Sequence, residues 1–135
     1  MRRLIPFAAG ALLATGAAFA QPPADTLRGL EQAARSEGTA FAGFSALRGA
    51  AFFRAQHASD WTCTSCHTAD PRGVGKHAVT GKAIEPLAPT VNAARLSDPA
   101  RTEKWFRRNC NDVLKRECSA QEKGDVVAYL ISLAP

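Results

Sequence analysis

Cys63-Thr64-Ser65-Cys66-His67 is the stretch whose reading decides the fold. Two cysteines separated by two residues and followed at once by histidine form the C-x-x-C-H signature of covalent haem attachment. The spacing has a physical basis. Thiols one helical turn apart can both add to the vinyl groups along one haem edge, and the next residue brings its imidazole under the iron as proximal ligand. Other uses of the motif fit the surroundings less well. A thioredoxin-like redox pair needs a βαβ context, and no β-rich run flanks this one. A zinc site needs a second ligand pair at matching spacing, and Cys110 and Cys118 are too far apart to supply it. A Cys63–Cys66 disulfide would give His67 no role.

The surrounding chain suits export. Arg2 and Arg3 precede an apolar, Ala/Leu-rich run from Leu4 to Ala18, and Ala18-Phe19-Ala20 reads as a cleavage site. Residues 1–20 are thus expected to be a signal peptide, leaving a periplasmic chain from Gln21. No later run approaches the ~20 apolar residues that span a bilayer, so no membrane span is expected after cleavage. Without Arg2 and Arg3 the seventeen Lys and Arg fall to fifteen against twelve Asp and Glu, a net charge of +3. That balance gives no support to nucleic-acid binding, which needs a dense basic stripe. Arg101, Lys104, Arg107, Arg108, Lys115 and Arg116 nonetheless cluster in sequence. They read either as a solvated helix face or as a docking patch for an acidic redox partner.

Periodicity predicts an all-α fold. Leu27, Leu30, Ala33 and Ala34 give a helix over 25–37, ended by Gly38. Ser45 is a candidate N-cap for a second helix from Ala46 to about Gln56, with Leu47, Ala50 and Phe53 on one face. Gly49 inside it lowers helix propensity and calls for a reason, such as close approach of another helix. Residues 70–81 read as a Gly- and Lys-rich loop, and Ile84–Pro89 as extended by its prolines. Asp98-Pro99 starts a third helix running towards Asn109. Ser119-Ala120-Gln121-Glu122 is a capping box opening a fourth, with Val126, Val127, Leu130 and Ile131 at helical spacing. The expected organisation is a signal peptide (1–20), an N-terminal extension with a short helix (21–44) and a helical cytochrome c-like domain (45–135) around one haem. Phe44, Phe52, Phe53, Trp105 and Phe106 are its candidate core and haem-wall residues.

The second axial ligand is constrained by an absence. The chain's one methionine is Met1, within the signal peptide, so His/Met ligation is excluded. Nitrogen and oxygen donors that could replace it include His57, His77, Asn92, Asn109 and Asn111. A histidine would give a low-potential bis-histidine electron carrier without an open site, and chain length permits either His57 or His77. Cys110 and Cys118, an even pair in an exported chain, are expected to form a disulfide directly after Asn109.

The motifs C-T-S-C-H, W-F-R-R-N-C-N-D-V-L-K-R-E-C and Gly124-Asp125-Val126-Val127-Ala128-Tyr129-Leu130 resemble the sphaeroides haem protein (SHP) family of class I-type cytochromes c, over about Ser45 to Leu133. The resemblance implies thioether attachment of haem c at Cys63 and Cys66, His67 as proximal ligand, Asn109 as distal ligand of the oxidised form, and a Cys110–Cys118 disulfide. It also implies a dihaem cytochrome c as electron donor. A carboxamide binds ferric iron weakly and ferrous iron poorly, so reduction should release Asn109 and admit O2, NO or CO. A terminal oxidase or NO-converting enzyme stays open as a third reading. The residues near Asn109 offer only Asp112 as an acid–base group, and no catalytic residue is assigned.

Overall fold

The computed structural model describes residues 22–38 and 40–134. The expected signal peptide lies outside these residues. Their elements run α1 (Pro23–Ser36), α2 (Ala46–Arg54), α3 (Thr64–His67), β1 (Gly75–Lys76), β2 (Ala83–Ile84), α4 (Pro99–Leu114) and α5 (Ala120–Ser132). No helix among them is long and apolar enough to cross a membrane.

The helix starts follow their capping chemistry. The Ser45 hydroxyl accepts from Arg48 N at 3.2 Å and the Asp98 carboxylate from Arg101 N at 3.0 Å. At α5 both halves of the capping box form: Ser119 Oγ accepts from Glu122 N, and Glu122 Oε2 from Ser119 N. Each satisfies backbone donors that a first helical turn leaves free.

The most extensive helix packing is α2 against α5, followed by α1 against α5. At the α2–α5 crossing, Gly49 lies directly against the α5 backbone. A Cβ there would stand 1.9 Å from Asp125 O, which gives the glycine its reason. Asp125, 5% exposed, ties the same crossing together. Its carboxylate accepts from Ser45 N (2.7 Å), Arg48 Nε (2.8 Å), Arg48 Nη2 (2.9 Å) and Gln121 Nε2 (3.0 Å). A buried carboxylate is tolerated only when paired and hydrogen-bonded to this degree.

Two features differ from the sequence reading. First, α4 continues five residues beyond Asn109, so Asn109 and Cys110 sit inside the helix rather than at its edge. The Asn-Cys-Asn-Asp run has weak helix propensity, but burial of Cys110, Val113 and Leu114 outweighs it. Lys115, at φ 60°, ends the helix in the left-handed region. Second, the expected loop carries a small antiparallel ribbon, with Gly75 opposite Ile84 and Lys76 opposite Ala83. Two-residue strands are too short to show alternation.

The N-terminal segment is part of this packing. Besides α5, α1 touches α4, and Glu37 beyond its end accepts from Ala120 N at 3.0 Å, adding a cap to α5. Buried Thr26 donates to Leu96 O at 2.9 Å.

Cys110 and Cys118 are bridged, with Cα atoms 5.7 Å apart. The bridge and Val113 and Leu114 form a small core cluster on which Phe52 and Phe106 also pack. On the chain-entropy account, closing this short loop contributes about 2–3 kcal/mol. A Cys110→Ala/Cys118→Ala protein should therefore unfold with a stability lower by about that amount, read from its denaturant midpoint.

Candidate haem site

The C-x-x-C-H segment forms a single turn. His67 N donates to Cys63 O at 3.0 Å and Cys66 N to the same carbonyl at 3.4 Å. The start of the turn is held by Thr62 and Ser65, flanking and intervening residues that the sequence reading did not single out. Ser65 Oγ accepts from Thr62 N at 2.9 Å, and Thr62 Oγ1 accepts from Ser65 N at 3.2 Å. The signal for them was the hydroxyl spacing itself, a short version of the capping box. The turn stops at Thr68, whose φ of 62° with ψ of 170° is a region ordinarily left to glycine. Its hydroxyl donates to Asp70 O at 2.6 Å.

The ribbon braces this turn from outside. A Cβ on Gly75 would lie 2.2 Å from Cys66 O, so only glycine allows β1 to approach so closely. Beyond it, Ala78 N donates to Cys66 Sγ at 3.3 Å.

The chemistry of the donors suits haem better than a chelated ion. Burial pushes the Cys63 thiol up to about 11. Burial first, then the charges of Arg95 and His77, lowers His67 to about 4, so the imidazole is neutral with a lone pair to offer iron. Among the described residues no three His, Cys, Asp or Glu side chains converge as a metal cage.

The surroundings also fit a large apolar group. Phe53, Val126, Tyr129 and Leu130 form the main core cluster. Against it pack Phe52, Cys63, Leu87, Leu96, Phe106 and Leu133, all only partly covered. A macrocycle laid on that wall would complete its burial, which is worth on the order of several kcal/mol. Phe53 links the wall to the proximal residue, its ring centroid 6.3 Å from that of His67.

Asn109 is exposed on α4, one turn beyond Phe106 and directly before the buried Cys110. Helical geometry places Thr102, Trp105 and Asn109 along one flank adjoining Phe106. The two histidines have other attachments. His57 Nε2 lies 3.0 Å from Phe52 O, with its ring 4.6 Å from the Phe52 ring. His77 Nδ1 accepts from Val79 N and Thr80 N, each at 3.2 Å, inside the ribbon loop that covers Cys66. Of the other candidates, Asn92 donates to Pro86 O at 3.2 Å and Asn111 lines a surface groove with Lys104, Arg107, Arg108, Asp112 and Glu117.

Residues 39–130 match a family described as "Domain of unknown function (DUF1924)". Cytochrome c'' of Methylophilus methylotrophus is 45% identical over 80 residues, covering 59% of this chain and 56% of the relative. The cytochrome c-type protein SHP of Cereibacter sphaeroides is 49% identical over 69 residues, covering 51% and 53%. The chain thus spans about half the length of the curated relatives it matches. The solved structures agree more widely. Oxidised SHP, described as an oxygen-binding cytochrome c, superposes with a TM-score of 0.73 at 40% identity, covering 84% of this chain and 98% of that one. Oxidised cytochrome c'' gives 0.74 at 36% identity, covering 84% and 95%.

Proposed function

The chain belongs to the DUF1924 family, within the monohaem cytochrome c group of SHP and cytochrome c'', and from that premise we propose that it is an exported haem protein whose Asn109 gates the iron. Cys63 and Cys66 carry haem c through thioethers, and His67 is the proximal ligand. Asn109 closes the distal side in the oxidised state. Haem held here would supply a redox centre, and Asn109 would offer it a hard amide oxygen, a poorer ligand for ferrous than for ferric iron. Release of that amide on reduction would open the distal side to O2, NO or CO. Oxygen binding is what the solved SHP structure is described as doing, and here it rests on the likeness. The observation that supports the reading is the position of Asn109 on α4, one turn beyond Phe106 and directly before the bridged Cys110.

Electrons arrive from a partner with an acidic surface, of which a dihaem cytochrome c is one. Arg101, Lys104, Arg107 and Arg108 are exposed on α4 beside the Asn109 flank. Arg116 does not join them fully, because Glu122 pairs with it at 2.7 Å. The periplasm is the compartment, with the leader removed after Ala20.

Two measurements test the assignment. Acidified acetone should fail to extract the haem, since thioethers survive acid; release of free haem would remove Cys63 and Cys66 from the site. The optical spectrum of the reduced protein should show a five-coordinate, high-spin ferrous haem. Sharp low-spin bands would instead favour a bis-histidine carrier.

A further inference from the structure

We propose that Arg95 is the cation that holds a haem propionate, an inference that rests on the haem reading above. Arg95 lies in the segment between β2 and α4, next to Leu96, which packs on the same apolar wall as Cys63. Its guanidinium is partly buried and faces backbone alone: Nε donates to Pro86 O and Nη2 to Glu85 O, both at 2.8 Å. Asn92 Nδ2 donates to the same Pro86 carbonyl at 3.2 Å, and Arg95 N donates to Asn92 O at 2.9 Å, so the arginine is held in place from both ends.

Arg95 has no carboxylate partner within ion-pair distance among the described residues. Arg28, Arg35, Arg48, Arg72 and Arg116 each have one, and Arg54, Arg101, Arg107 and Arg108, which have none, are exposed to solvent where Arg95 is partly buried. The nearby charges do not compensate it. Arg101 repels it from α4, Glu85 offers only a minor attraction, and burial is the largest influence on its ionisation, a downward one. A partly desolvated cation without an anion is costly. Two of its five N–H groups are used, and the remaining ones can fork onto a planar carboxylate. Haem brings two carboxylates to this wall, and one of them completes the site.

The test uses the haem-loaded full chain and its Arg95→Gln, Arg95→Lys and Arg35→Gln variants. Haem content is first fixed by the pyridine haemochrome spectrum; its absence from the wild-type chain would overturn the haem reading and this inference with it. With haem present, loss of a positive charge beside the macrocycle favours ferric iron. The reduction potential of Arg95→Gln should fall, and the propionate bending band in the resonance Raman spectrum should shift. Arg95→Lys, which keeps the charge but not the fork, should restore most of the potential while leaving the band shifted. Arg35→Gln, an exposed arginine on α1 paired with Glu31, should change neither appreciably. Wild-type potential and wild-type band in Arg95→Gln would overturn the proposal at unchanged haem content. If Arg95→Gln fails to accumulate, an unshifted band in Arg95→Lys would do the same.

Discussion

Replacing Gly49 with alanine is expected to destabilise the haem-loaded protein by about 3 kcal/mol or more, even though alanine is the better helix former. The added Cβ would stand 1.9 Å from Asp125 O, 2.4 Å from Asp125 C and 2.9 Å from Val126 N. All three are backbone atoms, so no rotamer change relieves the overlap and α2 must move away from α5. The propensity gain of about 1 kcal/mol does not offset separation of a close-packed helix pair. The displaced helix carries Phe53, which touches Tyr129 and faces His67, so the haem environment should change along with stability. Gly29→Ala is the matched control. It lies within α1 with nothing inside 4 Å of its Cβ position, and should stabilise by up to about 1 kcal/mol. Denaturant unfolding of both variants checks the pair. Equal small effects would mean that the helices do not cross this closely.

The legible parts of this chain were those governed by local chemistry. Ser45, Asp98 and the Ser119–Glu122 box announce helix starts because a capping side chain acts within three residues of itself. C-x-x-C-H is legible for the same reason: its spacing must match one edge of a macrocycle. Gly49 shows how far such reasoning extends. Its propensity penalty signalled a close approach, but the sequence could not say that α5 would be the neighbour.

What local patterns missed depended on distant partners. The sequence carries the third helix only towards Asn109 because Asn111 and Asp112 are poor helix formers, whereas the Cys110–Cys118 bridge and the burial of Leu114 keep the last turn helical. The segment before Ser45 read as an extension because its contacts, Thr26 to Leu96 and Glu37 to Ala120, span most of the chain. Arg95 carried no motif at all. Its meaning comes from being partly buried against two carbonyls with no carboxylate, next to Leu96 on the apolar wall, a property of the fold and not of its neighbours in sequence.

Asn109→Ala should leave haem attachment intact and open the ferric site, raising the affinity for cyanide or azide about 100-fold. The magnitude follows from how weakly a carboxamide holds iron. If Asn109 closes the ferric state by about 3 kcal/mol, the open state is populated about 1% of the time, and an external ligand binds weaker by that fraction. Removing the amide removes the penalty. On the proposed gate the ferrous protein should respond differently, because there the amide would already have left; CO affinity should change little beyond the loss of any hydrogen bond from the displaced carboxamide. This asymmetry separates a gate from a structural residue, whose loss would disturb both oxidation states. The fold favours a clean result, since Asn109 is exposed on α4 while the adjacent Cys110 and its bridge carry the packing. On this reading His57→Ala and His77→Ala should leave the ferric spectrum alone; in the fold His57 Nε2 lies against Phe52 O, and His77 Nδ1 accepts from the Val79 and Thr80 amides. An unchanged ferric spectrum in Asn109→Ala, with a changed one in either histidine variant, would move the sixth ligand to that histidine and make the protein a closed electron carrier.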